Sequence, residues 1–162
     1  MKNILLIFFY LNLSLFSIQC ERDDICLIET QGTPMMIVEF FDKENPSELK
    51  PVDEISIIGV EKDLLFTVLN SSKLSLPLKT QNNNTQYIFY KNKNDSIYSD
   101  IIQFNYQTND IYINRSCGFK TEYILSNPPA IFISENLNWI DHFEVLTNIV
   151  SDENQTHLAI YH

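Results

Sequence analysis

The stretch that decides the fold is Ile102-Gln103-Phe104-Asn105-Tyr106-Gln107, in which apolar and polar side chains alternate without a break. A period of two places the apolar side chains on one face of a β-strand and the polar ones on the other. A second alternating run, Ile111 to Cys117, follows directly after Asn109-Asp110. The two runs therefore predict a β-hairpin with a tight connection at Asn109-Asp110.

Short apolar runs of the same kind extend to both sides of this segment. They occupy residues 35–41, 55–60, 64–69, 74–78, 85–91, 119–125 and 131–133. The chain has only two alanines and three glycines but 11 Phe and 8 Tyr, a composition that favours strands over helices. The sequence predicts an all-β fold, an antiparallel β-sandwich of about eight to ten short strands. A β-barrel is the alternative within the same class.

The segment Trp139 to Val150 has an ambiguous pattern. Its apolar residues fit one face of a helix and nearly fit a strand. We favour a strand, because the turn Asp152-Glu153-Asn154 leads into His157 to Tyr161, which has the pattern of a hairpin partner. If 139–150 is a helix, the fold is α+β.

Cys20 lies where an apolar leader stops and an acidic run begins. Lys2 precedes an almost unbroken apolar stretch from Ile4 to Ile18, and Glu21 to Asp24 follow the cysteine. This arrangement predicts a signal peptide at 1–19 and a lipoprotein in which the Cys20 thiol is acylated. Gln19 stands where a small residue is usual, so soluble secretion and an uncleaved anchor are alternatives. All three predict an exported protein, in the outer membrane or the periplasm.

The other two cysteines are Cys26 and Cys117. If Cys20 carries lipid, they remain as a pair in an oxidising compartment, where a disulfide is expected. Two unpaired buried thiols are the alternative. We therefore divide the chain into the signal peptide, a lipid-anchor tether at 20–33 and a single β-sandwich domain at 34–162.

Charge and motifs exclude several classes of function. The net charge is −10 and no basic cluster occurs, so nucleic acid is not an expected partner. The sequence contains no serine elbow, no HExxH and no glycine-rich phosphate loop, so we expect no cofactor and no catalysis. A pair of carboxylates of the glycosidase type is the enzymatic alternative. The aromatic runs Tyr87 to Tyr90 and Tyr106 to Tyr112 either fill the core or form a platform for glycans.

Two further candidate sites depend on local pattern. In a hairpin between 139–150 and the following strand, His142 lies nearly opposite His162, which makes them a candidate metal pair. Ser96, in Asp95-Ser96-Ile97, is a candidate O-glycosylation site in a predicted loop.

Several strings, taken in order, resemble one family. They are Cys20-Glu-Arg-Asp-Asp-Ile-Cys26, Val38-Glu-Phe-Phe-Asp42 with Asn45-Pro46, Gln86-Tyr-Ile-Phe89, Arg115-Ser-Cys-Gly-Phe-Lys120, Asn138-Trp-Ile140 and His157-Leu-Ala-Ile-Tyr-His162. The chain resembles the DUF6452 family of small Gram-negative envelope lipoproteins. The resemblance implies an exported, lipid-anchored, β-rich domain, and it brings no activity and no site residue.

The function predicted from these observations is a non-catalytic binding or assembly module. Its partners are a membrane, through the lipid, and an envelope protein or glycan. One alternative is a β-barrel carrier of a small apolar ligand, and another is a secreted hydrolase of the glycosidase type.

Overall fold

The computed structural model describes residues 25–60, 65–93, 96–133 and 139–162. These residues contain ten strands and no helix. The strands are β1 (Met36–Phe41), β2 (Val52–Gly59), β3 (Leu65–Ser71), β4 (Lys73–Leu76), β5 (Asn84–Lys93), β6 (Ser96–Asn114), β7 (Gly118–Phe132), β8 (His142–Val145), β9 (Ile149–Val150) and β10 (Leu158–Tyr161).

The strands form two open sheets. One has four strands in the order β4-β1-β10-β8, and the other has six in the order β3-β2-β5-β6-β7-β9. β1 and β10 run parallel, and the other pairings with a described register run antiparallel. The predicted β-sandwich is confirmed. The barrel alternative is wrong, because each sheet ends in two edge strands and does not close on itself.

The four-stranded sheet is organised around β10. Val38 pairs with Leu158 on one side of β10, and Val145 pairs with Leu158 on the other. All four residues of β10 are buried, as expected of an apolar strand in the centre of a sheet. β4 is an edge strand of this sheet, in agreement with the proline at position 77 directly after it.

The hairpin predicted at Asn109-Asp110 is wrong in position. β6 continues through these residues for 19 residues in all, and the chain reverses at 115–117, just before Gly118. Gly118 has a φ of 70°, a conformation that glycine adopts without steric cost. Asp110 instead accepts a hydrogen bond from the Thr121 hydroxyl on β7, at 2.7 Å. The polar dipeptide therefore joins two strands from the side and does not end one.

The segment 139–150 is extended, so the helix alternative is wrong. It is not one strand, however: β8 pairs with β10 in the four-stranded sheet, and β9 pairs with β7 in the six-stranded sheet. Between them, the amides of Leu146 and Thr147 both donate to the carbonyl of His157, at 2.9 and 3.2 Å. These bonds hold the chain at the point where it passes from one sheet to the other.

The chain divides into two compact units. The described part of the smaller one comprises residues 25–30 and 112–119, and the larger one comprises 31–111 and 120–162. The larger unit contains a core to which both sheets contribute. Its largest fully buried side chains are Tyr106, Tyr123, Phe40, Phe89, Phe104, Met36, Ile37, Ile55, Ile57, Leu76, Ile102 and Ile140.

Candidate functional site

Three tyrosines from neighbouring strands hold the segment that follows β4. Tyr106 donates its hydroxyl proton to the carbonyl of Lys79 at 2.9 Å, and Tyr123 donates to the carbonyl of Leu78 at 3.0 Å. The Tyr87 hydroxyl donates to the carbonyl of Pro77. We call this arrangement, Tyr87, Tyr106 and Tyr123 on residues 77–79, the tyrosine clamp. It satisfies three successive carbonyls that no strand pairing would otherwise satisfy.

The clamp is reinforced by Thr85 and by its own burial. The Thr85 hydroxyl oxygen accepts the amide of Lys79 at 2.9 Å and lies 2.6 Å from the Tyr106 hydroxyl. Burial raises the pKa of Tyr87 and of Tyr123 to about 12, and the proximity of the Tyr106 phenol adds to both shifts. Both hydroxyls therefore stay protonated donors at every physiological pH, and the segment 77–79 is fixed in place.

A cavity of about 390 Å³ lies against the clamped segment. It is lined by Gly59, Val60, Phe66, Pro77, Leu78, Lys79, Thr85, Gln86 and Tyr87. Its volume falls in the range of small-molecule sites, and its surface is mainly apolar with a few polar groups, which is typical of such sites. None of the described lining residues is an Asp, Glu, His or Cys, so the cavity offers binding and not the carboxylate pair of a glycosidase.

His162 lies in a second, tightly packed environment. Its Nε2 is 3.1 Å from the carbonyl oxygen of Lys50, and its Nδ1 is 3.1 Å from Nζ of Lys91. The carbonyl can only accept, so Nε2 carries the proton and Nδ1 accepts from the ammonium group. The ring also contacts the rings of Phe40 and Trp139 edge-on. Burial, together with the charges of Lys91 and Lys50, lowers the pKa of His162 to about 4.

The candidate metal pair is not brought together. β8 and β10 pair His142 with Tyr161, one position away from the register that the pairing with His162 requires. The exposed His142 ring stacks on the ring of Tyr161 at 4.3 Å, and its Nδ1 lies 2.8 Å from a carboxylate oxygen of Asp141. Neighbouring residues of a strand point to opposite faces, so His162 faces away from His142. The described ranges contain no group of three or more side chains placed to hold a metal ion.

The burial of His162 leads to a prediction about acid stability. Its pKa is about 4 in the folded protein and about 6.5 in an unfolded chain, so only the unfolded chain binds a proton between these values. The free energy of unfolding is therefore fully retained above pH 6.5 and falls as the pH drops toward 4, by up to about 3 kcal/mol. Urea denaturation at pH 7, 5.5 and 4.5 measures this loss.

The matched variants are His162→Gln and His142→Gln. The first keeps a polar side chain but cannot titrate, so its stability should depend less on pH than that of the parent protein. The second removes an exposed imidazole and should leave the pH dependence unchanged. Parallel curves for the parent and His162→Gln would contradict the assignment.

Two further buried polar residues were not anticipated from the sequence. His157 accepts the amide of Ile37 through Nδ1 at 2.9 Å, which extends the contact between β1 and β10, and burial lowers its pKa. Asp100 accepts the amides of Trp139 and Ile140 through Oδ2, at 3.1 and 3.0 Å. Both side chains accept backbone amides, and such a contact leaves no spacing in the sequence by which it could be found.

The remaining predicted sites have the following positions. Cys26 and Cys117 form a disulfide in the smaller unit, as predicted. Cys20 lies outside the described residues. Ser96 is exposed, and it is the first residue of β6 and not part of a loop. Of the proposed glycan platform, Tyr87 and Tyr106 are buried, as the core-filling alternative requires.

Comparison with known families places this sandwich. The profile of DUF6452, a family of unknown function, matches residues 54–162, which is more than half of the chain. The chain belongs to the DUF6452 family. The match includes the clamp tyrosines, the cavity residues and Cys117 of this DUF6452 domain, and it begins after Cys26.

Other comparisons and the search for membrane helices gave negative results. No curated protein and no solved structure matches the DUF6452 chain. In the described ranges, no helix is long and apolar enough to cross a membrane.

Proposed function

We propose that this DUF6452 protein is an exported, lipid-anchored protein of the Gram-negative envelope that binds a small apolar ligand without catalysis. The observation that carries the binding function is the cavity of about 390 Å³ beside the tyrosine clamp. Its lining is mainly apolar, and the clamp holds one wall rigid, so little ordering is needed when a ligand enters. At about 30 Å³ per small group, it has room for a ligand of roughly a dozen heavy atoms.

The proposal of export is supported by the cysteines. A disulfide such as Cys26–Cys117 persists in oxidising compartments and is rare in the cytosol. The third cysteine, Cys20, follows an apolar leader in the position of a lipoprotein cysteine. An exported chain with one cysteine for lipid and two for a disulfide accounts for all three.

Octanol serves as the probe for the cavity, because it is apolar, carries one hydroxyl group and is small enough to enter. Calorimetric titration of the purified protein should detect saturable binding. In Val60→Trp the indole occupies part of the cavity, and the affinity should fall at least about tenfold, which corresponds to 1.4 kcal/mol.

The matched control is Leu69→Trp, on the exposed face of edge strand β3 and outside the cavity lining. This variant should bind octanol as the parent protein does. If octanol does not saturate the parent protein, or if both variants weaken binding equally, the cavity is not the ligand site.

The lipid anchor is tested separately with Cys20→Ser. In cells that are fed a clickable fatty acid, the parent protein should carry the label and fractionate with membranes. The variant should lose the label completely and move largely to the soluble fraction. A variant that is still labelled would show that Cys20 is not the site of acylation.

A further inference from the structure

The smaller unit carries an unusual concentration of exposed apolar side chains. Five large apolar residues of 25–30 and 112–119 are more than half exposed: Ile25, Leu27, Ile28, Tyr112 and Phe119. Ile28 is fully exposed, and the rings of Tyr112 and Phe119 contact each other at a centroid distance of 5.2 Å. We call these five residues the apolar patch. Contiguous exposed apolar surface of this kind marks a site of interaction with a protein or a membrane.

The charge of this unit distinguishes between such partners. Its described residues include one acidic side chain, Glu29, and one basic side chain, Arg115, so their net charge is zero. A surface without excess charge gains nothing from a strongly charged partner. Its apolar side chains gain from any surface that removes them from water, and the two aromatic rings suit the interface of a bilayer.

The position of the patch in the chain identifies the surface that it meets. Ile25 follows Cys20 by five residues, a distance of at most about 18 Å even when the chain is fully extended. The disulfide between Cys26 and Cys117 ties the segment 25–30 to the turn that carries Tyr112 and Phe119. An acylated Cys20 therefore keeps the whole patch within reach of the headgroups.

We propose that the apolar patch inserts into the bilayer interface beside the lipid on Cys20 and forms a second, protein-based membrane contact. This inference rests on the proposed lipid anchor. One acyl signal combined with a second contact holds a protein more stably than either alone. Because the unit has no net charge, its insertion depends on apolar burial and is insensitive to salt.

The test uses mature protein purified from membranes and reconstituted in phosphatidylethanolamine–phosphatidylcholine vesicles that contain a dibrominated phosphatidylcholine. Bromine quenches only tryptophans that approach the acyl chains. The protein has a single tryptophan, Trp139, whose ring packs against the core of the larger unit and whose indole NH donates to the carbonyl of Phe89. The parent protein therefore supplies the unquenched baseline, and Phe119→Trp reports on the patch.

We expect Phe119→Trp to lose half or more of its added emission in brominated vesicles, at low and at high salt alike. The control Leu69→Trp places the new indole on edge strand β3, where the parent side chain is equally exposed, and should not be quenched. Equal quenching of the two variants, or none in Phe119→Trp, overturns the inference. A blue-shifted emission of Phe119→Trp without bromine quenching also overturns it, because the patch is then covered by protein.

A second arm separates this inference from the lipid anchor. Cys20→Ser protein carries no lipid on that residue, and its patch alone should give weak, reversible flotation with vesicles. Leu27→Ser combined with Ile28→Ser should reduce this residual flotation several-fold. If the double replacement leaves the residual flotation unchanged, or if Cys20→Ser protein does not float at all, the patch makes no membrane contact, whatever the fatty-acid label shows about Cys20.

Discussion

Replacing both Cys26 and Cys117 by serine is expected to lower the free energy of unfolding by roughly 4–5 kcal/mol. The disulfide joins residues 91 positions apart, so it removes a large amount of conformational entropy from the unfolded chain. For one domain of this size, such a loss is a large fraction of the total stability. Guanidinium denaturation of the parent and the double variant, followed by circular dichroism, measures the difference.

Chemical reduction provides the control for the double replacement. The parent protein in dithiothreitol should unfold at the same denaturant concentration as the double variant, because both lack only the covalent link. The change should disappear between the double variant with and without dithiothreitol. If the double variant is as stable as the oxidised parent, the unfolded chain gains no freedom and the entropic account is wrong.

Replacing Asp100 by alanine is expected to cost roughly 2–5 kcal/mol. Asp100 is fully buried, and its Oδ2 accepts the amides of both Trp139 and Ile140. Alanine leaves two backbone NH groups without this acceptor, and each such loss costs about 1–3 kcal/mol. The same loss releases the chain where it enters β8, so the fluorescence of Trp139 should change together with the stability.

Two variants serve as controls for Asp100→Ala. Asp100→Asn keeps an oxygen in the position of the acceptor and should lose clearly less stability than the alanine variant. Asp53→Ala removes an exposed aspartate of β2 and should change the stability by about 0.5 kcal/mol or less. If Asp100→Ala is as stable as Asp53→Ala, the buried carboxylate does not hold the start of β8.

The strands were predictable because alternation is a local property. Residues 102–107 alternate in the sequence, and the structure buries Ile102, Phe104 and Tyr106 on one face of β6. The partner of a strand is a non-local property. His157 to Tyr161 was assigned to a hairpin with 139–150, and the pairing with β8 fits that assignment, but the parallel pairing with β1 has no local signal.

The errors in turns have a common cause. Asn109-Asp110 has the composition of a hairpin turn, yet β6 continues because Asp110 finds a partner in Thr121 across the strand pair. The residues 127–129, Asn-Pro-Pro, likewise lie within β7, with a cis peptide bond between Asn127 and Pro128. Turn-forming residues indicate only that a reversal is permitted, and the pairing available to the flanking strands decides whether it occurs.

The site residues differ in how far the sequence reveals them. Cysteine number alone predicted the disulfide. The tyrosine clamp was not predictable, because its acceptors are backbone carbonyls and any sequence at 77–79 provides them. The pairing of His142 with His162 failed by a single residue of register, and in a strand one residue moves a side chain to the other face.

The parallel contact of β1 with β10 has a consequence for the order in which the chain acquires structure. Ile37 and His157 are hydrogen-bonded across 120 positions, so β1 has no neighbour on that side until residues 157–161 have been synthesised. Until then its apolar residues and one row of its amides and carbonyls are open to other chains. Contacts of this separation slow folding and lengthen the time during which aggregation competes with it. A holding chaperone that recognises extended apolar segments would have its natural target at Met36–Phe41.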